Sequence, residues 1–196
     1  MILEGRWVRL EPLTESHFEA LCEVGLDPEL WRLTVATAQT RDEMSAYIRG
    51  ALASQAAGTA LPFVTQQRIE DGEPRIVGST RFMNFDPASR RVEIGSTWIA
   101  RPWQRTAINT EAKYLMLRHA FEAAGCARVE LKTDALNQRS RVAILRIGAR
   151  QEGILRRHTA TWSGRLRDTV YFSILDSEWA EVKADLERKL TRMPPV

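Results

Sequence analysis

The sequence predicts a mixed α/β (α+β) fold. Three observations predict it. Leu61 to Ile69, Arg75 to Phe85 and Arg91 to Ile99 are strand-like runs joined by turn residues, a meander. After Ile99 the apolar period switches from about two to about 3.6 and back, so strands and helices alternate toward the C-terminus. The chain has 196 residues, 44% of them apolar, enough for one sizeable core and a single domain over residues 1–196.

Each element has a local reason. Trp7 to Leu10 reads as the first strand, ended by Pro12. Thr14, Glu15 and Ser16 cap a short helix through Glu23, with His17 on its surface. Asp27 and Pro28 open a turn. Arg41 to Ala57 carries Met44, Tyr47, Ile48, Ala51 and Leu52 on one helical face, and Gly58 stops it. Glu70-Asp71-Gly72-Glu73-Pro74 and Asp86-Pro87-Ala88-Ser89 are the turns of the meander. Simple alternation in its last strand puts Val92, Ile94 and Ser96 on one side and Glu93, Gly95 and Thr97 on the other, unless a bulge intervenes.

Ile108, Ala112, Leu115, His119 and Ala120 then recur at helical spacing, His119 packs beside the turn of Phe121, and Gly125 suits the position after the helix. Ala127 to Thr133 alternates as a strand. Asn137 caps a helix to Ile147, ended by Gly148. A further strand precedes His158, Thr169 to Leu175 is a late strand, and Ser177 to Leu190 is a final helix striped by Trp179, Val182, Leu186 and Leu190. The tail, Thr191 to Val196, is expected to fray.

Composition excludes several classes. The formal charge is +3, carried by 24 Arg and four Lys against 25 acidic residues. That balance permits anionic ligands but does not demand nucleic acid, and no basic run, RNP pattern or zinc-finger spacing is present. Cys22 and Cys126 are far apart and form no CxxC, which points to a reduced protein with buried structural thiols, no disulfide framework and no metal. MILEGRWVRLEPL is not a signal peptide, and the longest uncharged run, Gly50 to Gln67, is too polar to span a bilayer. The expectation is a cytoplasmic protein that meets no membrane.

The stretch RPWQRTAINT, residues 101–110, lies between a strand and a helix. A helix start leaves unpaired amides that, with the helix dipole, favour an anion. Arg101 and Arg105 flank the spot, Thr106 and Thr110 offer hydroxyls, and Trp98 and Trp103 stand on either side. The stretch contains neither GxxxxGK[ST] nor GxGxxG, which argues against ATP hydrolysis and against a Rossmann site.

Here the sequence resembles the GCN5-related N-acetyltransferases (GNAT). Their phosphate loop reads Gln/Arg-x-x-Gly-x-Gly/Ala. This chain has Gln104-Arg105-Thr106-Ala107-Ile108-Asn109, with Gln104 matching and Ala107 and Asn109 departing. Asn137-Gln138-Arg139-Ser140, the opening GRWVRLEPLTESHFEAL and the ending RDTVYFSILDSEW are similar to the RimJ/RimL-type branch. The resemblance covers nearly the whole chain. It implies a central, mostly antiparallel sheet splayed at the cofactor site. It also implies acetyl-CoA as cosubstrate. The pyrophosphate would lie on Gln104, Arg105, Thr106, Ala107, Ile108, Asn109 and Thr110. The pantetheine arm would pair with Thr97, Trp98 and Ile99, with Asn137 opposite.

The activity so implied moves acetyl to a primary amine, on a protein N-terminus (a ribosomal protein among them) or on a small molecule. No Cys stands in a motif position, so direct transfer in a ternary complex is expected. An amine must lose a proton to attack. Glu93, on the strand that would reach the thioester, is the first candidate base, and His158 the second. Ser140, or water, is the candidate proton donor to the leaving thiolate, because the family's usual Tyr is replaced by Ile144. Trp31, Asp168 and Tyr171 are candidates for the acceptor side, and the final helix and late strands for a homodimer. The rival reading is a non-catalytic acyl-CoA-binding or interaction module, supported by Ala107, Asn109 and Ile144.

Overall fold

The chain enters its sheet through β1 (Leu3–Glu4) and β2 (Val8–Pro12), then forms α1 (Phe18–Gly25), α2 (Pro28–Trp31) and α3 (Arg41–Ala56). The meander follows as β3 (Ala60–Gln67), β4 (Arg75–Asp86) and β5 (Arg91–Ile99). α4 (Ala107–Arg118), β6 (Arg128–Asp134), α5 (Gln138–Arg146), β7 (Arg150–Ala160), β8 (Leu166–Leu175) and α6 (Trp179–Arg192) complete it. The structure is a computed structural model that describes residues 1–70 and 72–193. Asp71 of the first meander turn and residues 194–196 of the tail lie outside the described residues.

All eight strands form one sheet in the order β1-β2-β3-β4-β5-β6-β8-β7. Every neighbouring pair is antiparallel except β5 with β6. The predicted mixed, mostly antiparallel sheet is therefore present. Helices cover both faces. α1, α2 and α3 close one core around Leu21, Trp31, Met44, Tyr47, Val64 and Trp98. The stripes of α4 and α6 close the other, with Ile108, Leu115, Met116 and Leu186 fully buried. Each such aliphatic side chain contributes roughly 1.5–3 kcal/mol by leaving water.

Several boundaries differ from the sequence reading. β1 is too short to show a period. β7 runs through His158, which lies within the strand rather than after it, and β8 begins at Leu166. Bulges between Leu155 and Thr159, with Arg157 at φ 47, break the alternation there. α6 continues through Thr191 and Arg192, so that part of the tail is helical. His17 is not a free surface residue: its Nδ1 accepts from the Thr14 amide at 3.1 Å and its side chain is only 13% exposed. His119 is half-buried, facing the Phe82 ring at 6.0 Å.

Candidate active site

The one parallel pair is short. β5 and β6 pair only at Arg91↔Arg128, Val92↔Val129 and Glu93↔Glu130. Beyond Glu93 the two strands part, although β5 continues to Ile99 and β6 to Asp134. β4 stays with β5 through the same stretch, pairing Gly78↔Ile99 and Ser79↔Trp98. Gly78 permits that approach, since a Cβ there would lie 2.1 Å from the Trp98 carbonyl oxygen. Ser96, at φ 46, makes the irregularity. It shifts the side-chain alternation, so Thr97 turns to the α4 side while Trp98 enters the opposite core. Ser96 and Thr97 are exposed in the parted stretch.

Because β5 and β6 are parallel, the helices that follow them start at the same end of the gap. Thr106 caps α4: its hydroxyl accepts from the Ile108 amide at 3.3 Å and donates to the Trp103 carbonyl at 2.7 Å. Ala107 and Asn109 keep first-turn amides with no intrahelical partner. Asn137 caps α5 by accepting from the Ser140 amide at 3.1 Å. Arg146 of α5 donates to the Thr110 hydroxyl at 2.5 Å and ties the two helices together.

The sequence-predicted cofactor residues divide accordingly. Gln104 donates from Nε2 to the Ile99 carbonyl at 2.8 Å, which fastens the loop to β5 and occupies that carbonyl. Arg105 is exposed, holds a left-handed φ of 64, and makes no ion pair among the described residues. Ala107 and Ile108 bury their side chains and leave only backbone to a ligand. Thr110 is fully buried against Arg146, so its hydroxyl does not reach the loop surface as expected; the fourth helical residue points inward, not at the helix end. Arg101 is turned away too, with Nε 2.6 Å from Asp27. Asn109 keeps a buried Oδ1 with no partner.

The candidate catalytic residues lie on neighbouring strands. Glu93 is buried, and its Oε2 accepts from Lys132 Nζ at 2.8 Å and from Asn84 at 2.7 Å. Burial by itself lowers the Lys132 ammonium, but the hydrogen bond and charge of Glu93, with Tyr171 and Glu130, outweigh it and hold it above its usual range. Lys132 also sits 4.6 Å from the centroid of the Tyr171 ring. The Tyr171 hydroxyl lies 3.4 Å from His158 Nε2, and His158 Nδ1 lies 3.1 Å from the Thr169 hydroxyl. Glu93, Lys132, Tyr171 and His158 thus form one contiguous run of contacts across β5, β6, β8 and β7, with His158 at the exposed end. Ser140 is half-buried and its hydroxyl is free among the described residues.

Trp31 is core rather than pocket wall. It is 2% exposed, packs on Tyr47 and Trp98, and donates to the Gly25 carbonyl at 2.7 Å. Its own carbonyl accepts from Trp162 Nε1 at 2.7 Å, which docks the β7–β8 hairpin against α2. Asp168 Oδ1 accepts from the Arg157 amide at 2.7 Å and holds the bulge of β7. Burial pushes both thiols, Cys22 and Cys126, up, away from nucleophilic use.

Lys113 was missed in the sequence. It is buried on α4, with Nζ 2.6 Å from the Thr97 hydroxyl and 3.2 Å from that of Thr80. Its signal was available: it lies three and four residues before Met116 and Leu117, both buried, so the helix period places a charge on the apolar stripe.

A parted parallel pair with two helix N-termini at its open end offers free strand backbone and helix-start amides, groups that suit an extended, anionic ligand. Residues 8–150 match the Acetyltransferase (GNAT) domain family, and the chain belongs to that family of acyltransferase enzymes, which use acetyl-CoA. A Bacillus subtilis protein named "Putative ribosomal N-acetyltransferase YdaF" is 34% identical over 104 residues, 53% of this chain and 56% of the relative, so the match spans about half of that relative's length. A GCN5-related N-acetyltransferase from Brucella melitensis superposes with a TM-score of 0.87 at 33% identity, over 97% of this chain and 85% of its own. Mycobacterium smegmatis RimJ, solved in complex with CoA-disulfide, gives 0.77 at 25% identity, over 96% and 91%. No helix among the described residues is long and apolar enough to cross a membrane.

Proposed function

We propose that this chain transfers acetyl from acetyl-CoA directly to a primary amine, and that the amine is a protein N-terminus. The observation that carries the donor is the parting of β5 from β6 beyond Glu93, with Ser96 and Thr97 exposed in the gap. The residues there fit such a ligand. The free amides of Ala107 and Asn109 and the unpaired guanidinium of Arg105 suit a pyrophosphate. The orphaned Asn109 oxygen is a buried polar atom that a bound ligand can satisfy. Thr97 and Trp98 offer strand backbone to an amide-bearing arm, and Asn137 and Ser140 face it from the start of α5. The name carried by YdaF, a putative ribosomal N-acetyltransferase, supports a protein acceptor over a small amine.

Acetyl-CoA supplies the activated acyl group; the chain supplies position and proton traffic. We assign the amine's proton to His158. It is exposed, and Thr169 and Tyr171 orient its ring. The Glu93 carboxylate is engaged by Lys132 and Asn84, so it orders Lys132 rather than meeting an amine first. We assign the hydrogen bond to the leaving sulfur to the free Ser140 hydroxyl.

The test has two stages. Acetyl-CoA at about 100 times its Kd should stabilise the protein by roughly 2.7 kcal/mol in a thermal melt. Peptides with free N-termini are then offered with a thiol-release assay, alongside polyamines and amino acids. Turnover of small amines alone would sink the protein-acceptor reading. H158N should lower kcat by about a hundredfold or more, the usual weight of a proton-transfer group. If E93Q rather than H158N abolishes turnover while acetyl-CoA still binds, the two roles are reversed.

A further inference from the structure

Lys113 is a buried cation with an unusual set of partners. Its Nζ meets two hydroxyls, Thr97 at 2.6 Å and Thr80 at 3.2 Å, and those hydroxyls are 2.7 Å from each other. No carboxylate pairs with it among the described residues. The charged groups of the surrounding elements are committed elsewhere. On its own helix Glu111 holds amides of the N-terminal segment; on β5 Glu93 pairs with Lys132; on β4 Arg81 lies over the Tyr47 ring; on α5 Arg146 donates to Thr110. Burial, with no carboxylate paired to it, lowers the ammonium to about 7.

An uncompensated buried charge is costly, and a methionine of similar shape would pack there without that cost. Thr97, the residue it holds, is exposed in the gap that receives the cosubstrate on the reading above. We propose that Lys113 is a positioning residue of the acyl-CoA cleft: through Thr97 it holds the parted stretch of β5 in its binding form, and the anionic cosubstrate draws a proton onto it. Two effects share one sign. The ammonium form makes charge-assisted hydrogen bonds to both hydroxyls and fastens Thr97, whereas the neutral amine keeps two N–H donors but only the weaker, uncharged bonds. The phosphates of the ligand also favour a nearby positive charge. Acetyl-CoA therefore binds the protonated protein better, and by linkage its binding takes up a proton near neutral pH.

The inference rests on acetyl-CoA being the ligand, and the experiment separates the two. Acetyl-CoA binding is measured by calorimetry from about pH 6 to about pH 9, in buffers of different ionisation enthalpy, a span that brackets the Lys113 titration. Wild type should bind about tenfold more weakly at the upper end, which corresponds to a one-unit rise in Lys113 proton affinity, with net proton uptake in between. The phosphate monoester of CoA titrates near about pH 6, so the comparison is with K113M, which should bind with a flatter pH profile and lose the uptake. T97V, which keeps the lysine, should lose part of the pH dependence and serves if K113M does not fold. Equal pH dependence and uptake in wild type, K113M and T97V overturn the inference and leave the acetyl-CoA reading intact. No binding at any pH overturns both.

Discussion

The Glu93 carboxylate and the Lys132 ammonium lie 2.8 Å apart on adjacent strands; Glu93 is the last paired residue of β5, opposite Glu130, and Lys132 lies two residues further along β6, where the strands have separated. The side chains are 8% and 17% exposed, so water screens the pair little. Removing the cation leaves a buried carboxylate whose remaining hydrogen-bond partner among the described residues is Asn84. K132M should cost about 3 kcal/mol, the lower end for breaking a buried pair, read as a drop in denaturant midpoint. E93Q, which still bonds Asn84, should cost less. Equal losses would mean that the pair is not the stabilising unit.

Glu111 should be the stronger structural carboxylate. Its oxygens accept from the amides of Arg6, Trp7 and Val8 at 2.9, 2.6 and 2.7 Å, and it is 5% exposed. A carboxylate accepts at both oxygens, whereas an amide turns one donor toward donors. E111Q should destabilise by about 2 kcal/mol and open the β1–β2 segment to proteolysis before global unfolding. G5A should act in the same direction, because a Cβ at Gly5 would lie 2.5 Å from the Glu111 carboxyl carbon.

K113M should raise the melting temperature even as it weakens the site. A lysine lowered by burial binds its proton less readily in the folded state than in the unfolded state. Its penalty is full below about 7 and fades as pH rises toward the model-compound value of 10.5. The gain from K113M should therefore be largest at mildly acid pH, about 2 °C or more for a chain this long, and shrink in alkali. A gain that grows with pH would contradict the assigned cause.

Arg105 should show the same trade for a different reason. Its φ of 64 is left-handed, a conformation that costs a side-chain-bearing residue roughly 1 kcal/mol. R105G should stabilise the free protein and weaken acetyl-CoA binding, with a shallower salt dependence of the remaining affinity. Unchanged affinity would remove Arg105 from the phosphate loop.

Much of the fold was legible because it rests on local periods. The meander, the α4 stripe from Ile108 to Ala120, the Asn137 cap and the α6 stripe all follow from turn chemistry and apolar spacing that one segment carries by itself. β1 was not legible, since two residues have no period, and neither was the bulge in β7 that brings His158 over Tyr171. The loop Gln104 to Asn109 could be located as a helix start after a strand, but not which of its side chains face out. Thr110 and Arg101 looked like ligand residues in one dimension. In three, each meets a partner from a distant segment, Arg146 or Asp27.

The sequence by itself determined the class of fold, the order of its longer elements, the family resemblance and the place of the loop before α4. Only the tertiary structure decided which charged groups are paired. It joined Glu93 to Lys132, set Lys113 beneath Thr97 and turned Thr97 to the α4 side through the irregularity at Ser96. The reason is physical. Propensity and periodicity act over a few residues, whereas burial, ion pairing and strand register depend on contacts between segments far apart in the chain, and those contacts exist only once the sheet has closed.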